Sequence, residues 1–224
     1  MSMLSNLELI RRVPLFALLT TAQAESVADA VVKRRFKRGE TVVEQGDKSN
    51  TLFILLTGRA RVITADKRGR EVILSTLHPG DYLGEMSLID NQPHSASVRA
   101  EVQTDMLALG RAEFARCLPE NSSMAYAIMK GLVQRLRQAD RKIESLALMD
   151  VYGRVARALM EFAQPDREGV LTIRERLSRQ DIAKMVGASR EMVSRVMKDL
   201  EERGFVETRP DGAILIKEQL SALG

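Results

Sequence analysis

Residues 178–205, SRQDIAKMVGASREMVSRVMKDLEERGF, constrain the chain more than any other stretch. Ser178 with Asp181 three residues on reads as an N-cap with an acidic first turn. Ile182, Ala183, Met185 and Val186 then give a first helix an apolar face. Gly187 follows, where the chain must turn through a conformation that glycine adopts cheaply. Ser189 caps a second helix, in which Val193, Val196, Met197 and Leu200 fall at i, i+3, i+4 and i+7 and form one inward stripe. Helix, tight turn and helix at this spacing predict a helix-turn-helix whose second helix enters the major groove of duplex DNA.

The other side of that second helix carries Arg190, Glu191, Ser194, Arg195 and Lys198. An arginine offers two parallel donors to guanine, and a glutamate accepts from the cytosine amino group. A Glu191–Arg195 pair on a solvated face is the competing reading. Ser178, Arg179, Gln180 and Ser189 complete the expected DNA-contacting set. Downstream, two short β-type runs flank Pro210-Asp211-Gly212 between Val206 and Ile216 and predict a hairpin, which makes the motif winged.

Upstream, residues 7–30 read as helical, interrupted by Pro14. From Val31 to Leu109 short β-rich runs (VVKRRF, TVVEQ, TLFILL, ARVITA, EVILSTL) alternate with turn signals, the pattern of a small β-barrel or sandwich. From Ser122 to Met149 the period is helical again. Leu132, Leu136, Ala139, Ile143 and Leu146 form a heptad-like seam, extended upstream by Met124 and Ile128, and flanked by charges. Such a seam predicts pairing with a second copy, which suits a two-fold reader of palindromic DNA.

Composition narrows the function. Among 224 residues, 45% are hydrophobic and 29% charged, ordinary for a soluble protein. The net charge is only +4. Residues 151–224 hold 13 Lys+Arg against 12 Asp+Glu, a balance of +1, so DNA contact must rest on placed cations rather than bulk charge. No apolar run reaches the roughly 18 residues of a membrane span. The N-terminus lacks a signal peptide's basic start and apolar core, so a cytoplasmic location without membrane association is expected. The single cysteine, Cys117, excludes an internal disulfide and cysteine-rich metal or iron–sulfur sites, and is expected as a packed thiol. His78 and His94 are too few for a metal site. No nucleophile–base constellation, phosphate-binding glycine loop or metal cluster points to an enzyme, and no covalent or metal cofactor is expected.

The order β-barrel, long helix, winged helix-turn-helix resembles the CRP/FNR family of bacterial transcription regulators. The resemblance rests on EQGD (44–47), LLTGRARV (55–62), DKRGREVILSTLHPGDYLGEMSLID (66–90), SASVRA (95–100), ALMDVYGRVARAL (147–159) and GASREMVSRVMKDLEERG (187–204). It implies an α+β fold in three parts. These are a β-roll (jelly-roll) cyclic-nucleotide-binding-like domain over 1–121, a dimerisation helix and hinge over 122–149, and a winged helix-turn-helix domain over 150–224. It implies a homodimer on a pseudo-palindromic operator with TGTGA-like half-sites, with RNA polymerase as a further partner.

In such a family LGEMSLID…SASV is similar to a phosphate-binding cassette. Gly84 and Glu85 stand before a short helical turn whose free N–H groups face an anion. Glu85 would accept from a ribose hydroxyl, and Ser95 and Ala96 would offer donors to phosphate. Arg135 matches a family position near the ligand. The sequence departs from the cyclic AMP pattern at His94, where an arginine is expected, and at Ala139-Asp140, which replace a Thr-Ser pair. A neutral imidazole is not a bidentate cation, and Asp140 suits the edge of guanine better than a phosphate. Arg137-x-x-Asp140 resembles an RxxD pattern for cyclic di-GMP, although an i, i+3 surface ion pair has the same spacing. Lys67, Arg68 and Arg70 could join an anionic ligand or simply form a solvated turn. The expected effector is a nucleotide second messenger, cyclic di-GMP slightly ahead of cyclic AMP. The alternative is a ligand-independent DNA-binding protein with a vestigial effector domain.

Overall fold

A computed structural model describes residues 5–16, 19–66, 68–117, 122–166, 170–175 and 177–217.

 For residues 115–117 and 122–124 only the backbone is described. The chain divides into two compact units, Met1–Leu136 and Arg137–Gly224.

The first unit opens with α1 (Asn6–Ile10) and α2 (Thr21–Ala30), with a 3-10 turn at Pro14–Phe16 between them. Both helices begin with capping boxes. The Glu8 N–H donates to Ser5 Oγ at 3.2 Å while the Ser5 N–H donates to the Glu8 carboxylate at 2.7 Å. Thr20 and Gln23 repeat the exchange at α2. The helical reading of 7–30 is therefore corrected: Leu15 and Phe16 lie in the 3-10 turn, and the second helix starts only where Thr20 caps it.

Strands follow: β1 (Val32–Phe36), β2 (Thr41–Val43), β3 (Thr51–Thr57), β4 (Ala60–Ala65), β5 (Glu71–Leu77) and β6 (Tyr82–Leu83). After a short helix α3 (Glu85–Asp90) come β7 (Ser97–Ala100), β8 (Thr104–Gly110) and α4 (Arg111–Cys117). Cys117's side chain lies outside the described residues. The strands pair antiparallel in two four-stranded sheets, ordered β1-β8-β3-β6 and β2-β7-β4-β5. Alternation along the strands sorts the core. Leu52, Ile54, Leu107 and Leu109 pack with Ile10, Phe16, Val27 and Phe114 of the helices. Leu55, Leu83, Val98 and Met106 fill the space between the sheets.

The long helix α5 (Ser122–Leu148) supplies residues to both units. Its apolar seam is not continuous. Ile128 is buried in the first unit's own core, with Leu132 packed against it, so Ile128 belongs to that core rather than to a pairing seam. Leu136, Ile143 and Leu146 are 62%, 64% and 56% exposed, and so have no such cover. Met124's side chain lies outside the described residues.

The second unit continues with α6 (Val151–Phe162), whose N-cap Asp150 accepts from the Gly153 N–H at 2.8 Å. Then come β9 (Gln164–Pro165), β10 (Leu171–Ile173), α7 (Arg179–Val186), α8 (Arg190–Glu202), β11 (Val206–Thr208) and β12 (Ile214–Ile216). The β11–β12 hairpin forms as expected and joins a sheet ordered β11-β12-β10-β9. One core cluster, including Leu159, Ile182, Val193, Met197, Leu200 and Ile214, ties the three helices to that sheet. Among the described residues, no helix is long and apolar enough to cross a membrane.

Candidate functional site

The cassette is built around Gly84. Its φ of +90° is left-handed, and a Cβ there would overlap the Thr51 carbonyl oxygen, so only glycine fits between β6 and α3. This turn drives Glu85 inward, to 1% exposure. Burial raises the Glu85 pKa, and the nearby Arg135 guanidinium opposes that rise. Arg135 Nη1 donates to Glu85 Oε1 at 2.5 Å, and its Nη2 donates to the Tyr82 carbonyl. The same guanidinium lies 5.1 Å from the Tyr82 ring centroid. The second carboxylate oxygen, Glu85 Oε2, is buried without a hydrogen-bond partner among the described residues. A buried acceptor of this kind is costly unless a donor reaches it.

Tyr82 in turn holds α5. Its hydroxyl donates to the Ile128 carbonyl at 3.2 Å, and burial raises its pKa. Sequence reading missed Tyr82, because a tyrosine within a strand carries no signal that it will hold an arginine.

His94 faces inward. It is buried at 8% exposure, with Nδ1 3.1 Å from Ser87 Oγ and Nε2 2.8 Å from Ser49 Oγ. Its backbone also pairs with Asp47 and Gly46. Desolvation lowers its pKa and so favours the neutral ring, while the Asp47 charge acts in the opposite direction. Both ring nitrogens are engaged within the protein, so His94 bridges α3 and the loop before β3. Arg111 braces the same helix, donating from Nη2 to the Ser87 carbonyl at 2.9 Å and from Nε to Asn50 Oδ1 at 2.9 Å. Ser49, Ser87 and Arg111 were also missed, since their roles depend on contacts distant in sequence.

Ser95 is exposed and Ala96 buried at the end of this loop. Arg137 and Asp140 are exposed on α5, in the second unit. Neither has an ion-pair or hydrogen-bond partner among the described residues, so the i, i+3 pair between them does not form. On the β4–β5 turn Arg70 Nε pairs with Asp66 at 2.7 Å, and Lys67 lies outside the described residues.

The helix-turn-helix follows its expected local rules. Ser178 Oγ accepts from the Asp181 N–H at 3.0 Å, and Ser189 Oγ accepts from the Met192 N–H at 3.1 Å. Both serines therefore serve as caps. Gly187 makes the turn at φ +66°. Arg190, Glu191, Ser194 and Arg195 are exposed along one side of α8. Arg190, Glu191 and Arg195 side chains have no partner among the described residues, so the Glu191–Arg195 pair is absent. Lys198 lies 3.6 Å from Glu202, and Gln180 is exposed at the start of α7. Arg179 pairs with Glu201 at 3.2 Å, and Thr208 Oγ1 donates to the same Glu201 oxygen at 2.6 Å.

Comparison with known proteins follows the same division. Residues 33–121 match the cyclic nucleotide-binding domain, and residues 153–223 match the Crp-like helix-turn-helix domain. The chain is 37% identical over 186 residues to the cAMP-activated global transcriptional regulator Vfr of Pseudomonas aeruginosa, covering 79% of this chain and 86% of the relative. It is 31% identical over 205 residues to the cyclic AMP receptor protein of Thermus thermophilus, covering 92% and 93%. Among solved structures, the c-di-GMP responsive global regulator CLP of Xanthomonas campestris matches with a TM-score of 0.77 at 27% identity, covering 88% of this chain and 100% of that one.

Proposed function

Because the chain belongs to the CRP/FNR family of transcription regulators, we propose that it works as a homodimer in the cytoplasm, binding chosen DNA sequences under the control of a nucleotide second messenger. Its working parts are an effector domain over 1–121, a dimerisation helix and hinge over 122–149 and a DNA-binding domain over 150–224. The observation that carries the effector reading is Glu85, whose buried Oε2 lacks a donor among the described residues while Arg135 holds its other oxygen. A ligand hydroxyl or N–H satisfies that oxygen, and Arg135 lies beside it to meet an anion. Gly84, Ser95 and Ala96 would complete the cradle.

Cyclic di-GMP is the slightly favoured effector over cyclic AMP. His94 is tied inward to Ser49 and Ser87 and supplies no cation for a cyclic monophosphate. Arg137 and Asp140 present an exposed donor fork and carboxylate, without partners among the described residues, suited to the two edges of guanine. CLP, described as c-di-GMP responsive, supports this choice, and Vfr, described as cAMP-activated, supports the other. The exposed Leu136, Ile143 and Leu146 support pairing through α5. Arg190, Glu191 and Arg195 of each copy would read base edges in TGTGA-like half-sites about one helical turn apart. RNA polymerase is the further partner.

A ligand-independent regulator is the second reading. It is favoured by the same Arg135, which already has Glu85 and Tyr82 as partners without any ligand. Titrating the purified protein with each nucleotide while measuring operator affinity separates the readings. A change with cyclic di-GMP at lower concentration than with cyclic AMP supports the first. No change with either leaves the second.

A further inference from the structure

We propose that the roll holds a second small-molecule site, apart from the cassette, which takes an organic monoanion with a compact apolar body. A groove of about 380 Å³ opens where β1, at the edge of one sheet, and β2, at the edge of the other, leave the roll uncovered. This volume lies at the lower end of the roughly 300–1,000 Å³ found for small-molecule pockets. Val32, Phe36, Val42, Phe53 and Ala108 line it.

These are inward-facing positions. On β3 and β8 the alternate residues Leu52, Ile54, Leu107 and Leu109 are fully buried against the helices on the other face. A sandwich ordinarily covers its inner faces with side chains from the opposite sheet. Here Val32 remains 57% exposed, and the Phe36 and Phe53 rings meet edge to face at 6.0 Å with no lid among the described residues.

Charge selects the occupant. Arg34 lines the groove and has no partner among the described residues. Its neighbour Arg35 is paired with Asp105 at 2.6 Å. A guanidinium over an apolar floor suits a carboxylate carrying an apolar body, through a two-pronged charged contact. Glu40 also lines the groove, with its carboxylate accepting from the Lys37 N–H at 2.8 Å. Its negative charge disfavours a doubly charged phosphate, so a monoanion is the better match.

The test uses the full-length protein, octanoate as probe and octanamide as its uncharged isostere. Methyl resonances of Val32, Val42 and Ala108 are followed by NMR. Octanoate should shift them saturably, octanamide should bind about tenfold more weakly, and Arg34→Gln should bring octanoate to the octanamide level, as expected for loss of one charge-assisted contact. Equal binding of the two probes to the unaltered protein overturns the proposal even if Arg34→Gln fails to fold. So does the absence of saturable shifts, or shifts confined to Leu77 and Val98 in the space between the sheets.

Discussion

Gly131 and Tyr82 fit together only because Gly131 has no side chain: a Cβ there would overlap the tyrosine hydroxyl. That hydroxyl reaches the Ile128 carbonyl of α5, and the same residue's carbonyl and ring hold Arg135. Gly131→Ala should therefore push Tyr82 away. Overpacking costs about 1–3 kcal/mol, partly offset by about 1 kcal/mol of helix propensity. A net loss of about 1 kcal/mol in denaturant unfolding is expected, together with weaker nucleotide binding. Unchanged stability and affinity would remove Tyr82 from the site's support.

Glu85 gives the fold a pH dependence of defined sign. Its pKa is raised in the folded protein, so its contribution to stability is fullest below the ordinary carboxylate range and declines as pH rises through the raised value. Glu85→Gln, which keeps the neutral shape, should gain stability relative to the unaltered protein as pH increases. Unfolding midpoints measured on both proteins across the acidic range test this; parallel curves contradict it.

His94 has the opposite sign. Its lowered pKa means that its contribution is present above the ordinary histidine value and is lost as pH falls through the folded one. The His94 ring should titrate below about 6.5 by NMR. His94→Arg should destabilise the fold, because an arginine cannot use the slot between Ser49 and Ser87 without burying its charge. A variant with unchanged stability and tight cyclic AMP binding would show that the slot opens easily.

On α8, Arg190→Ala or Arg195→Ala should erase preference for one G·C position at a cost of about 1–3 kcal/mol. Competition binding with operator variants measures it. Equal loss on every sequence would assign these arginines to phosphate contact instead.

Gly187→Ala should cost about 1–2 kcal/mol, because the turn is left-handed at φ +66°. Thermal unfolding reports the loss, and an unchanged midpoint would mean that the turn relaxes into another conformation.

The DNA-binding unit was the most legible part of the sequence. Ser178, Gly187 and Ser189 act within a few residues of themselves, so caps and turn could be read directly. The β-rich runs announced most strands of the roll, but the short β9–β10 hairpin was missed because two and three residues carry no period. At the cassette, the left-handed turn at Gly84 was legible, because glycine adopts it cheaply, while the inward placement of His94 was not. Its contacts with Ser49 and Ser87 depend on a loop brought in from 45 residues away, which no local pattern records.

Glu201 accepts from Arg179 at the start of α7 and from Thr208 on β11, while itself standing on α8. Reader, supporting helix and wing are thus pinned at one atom. A regulatory signal reaching this unit must carry it like a type block in a press: it can change where the letter lands on the page, but not which letter is cut into its face.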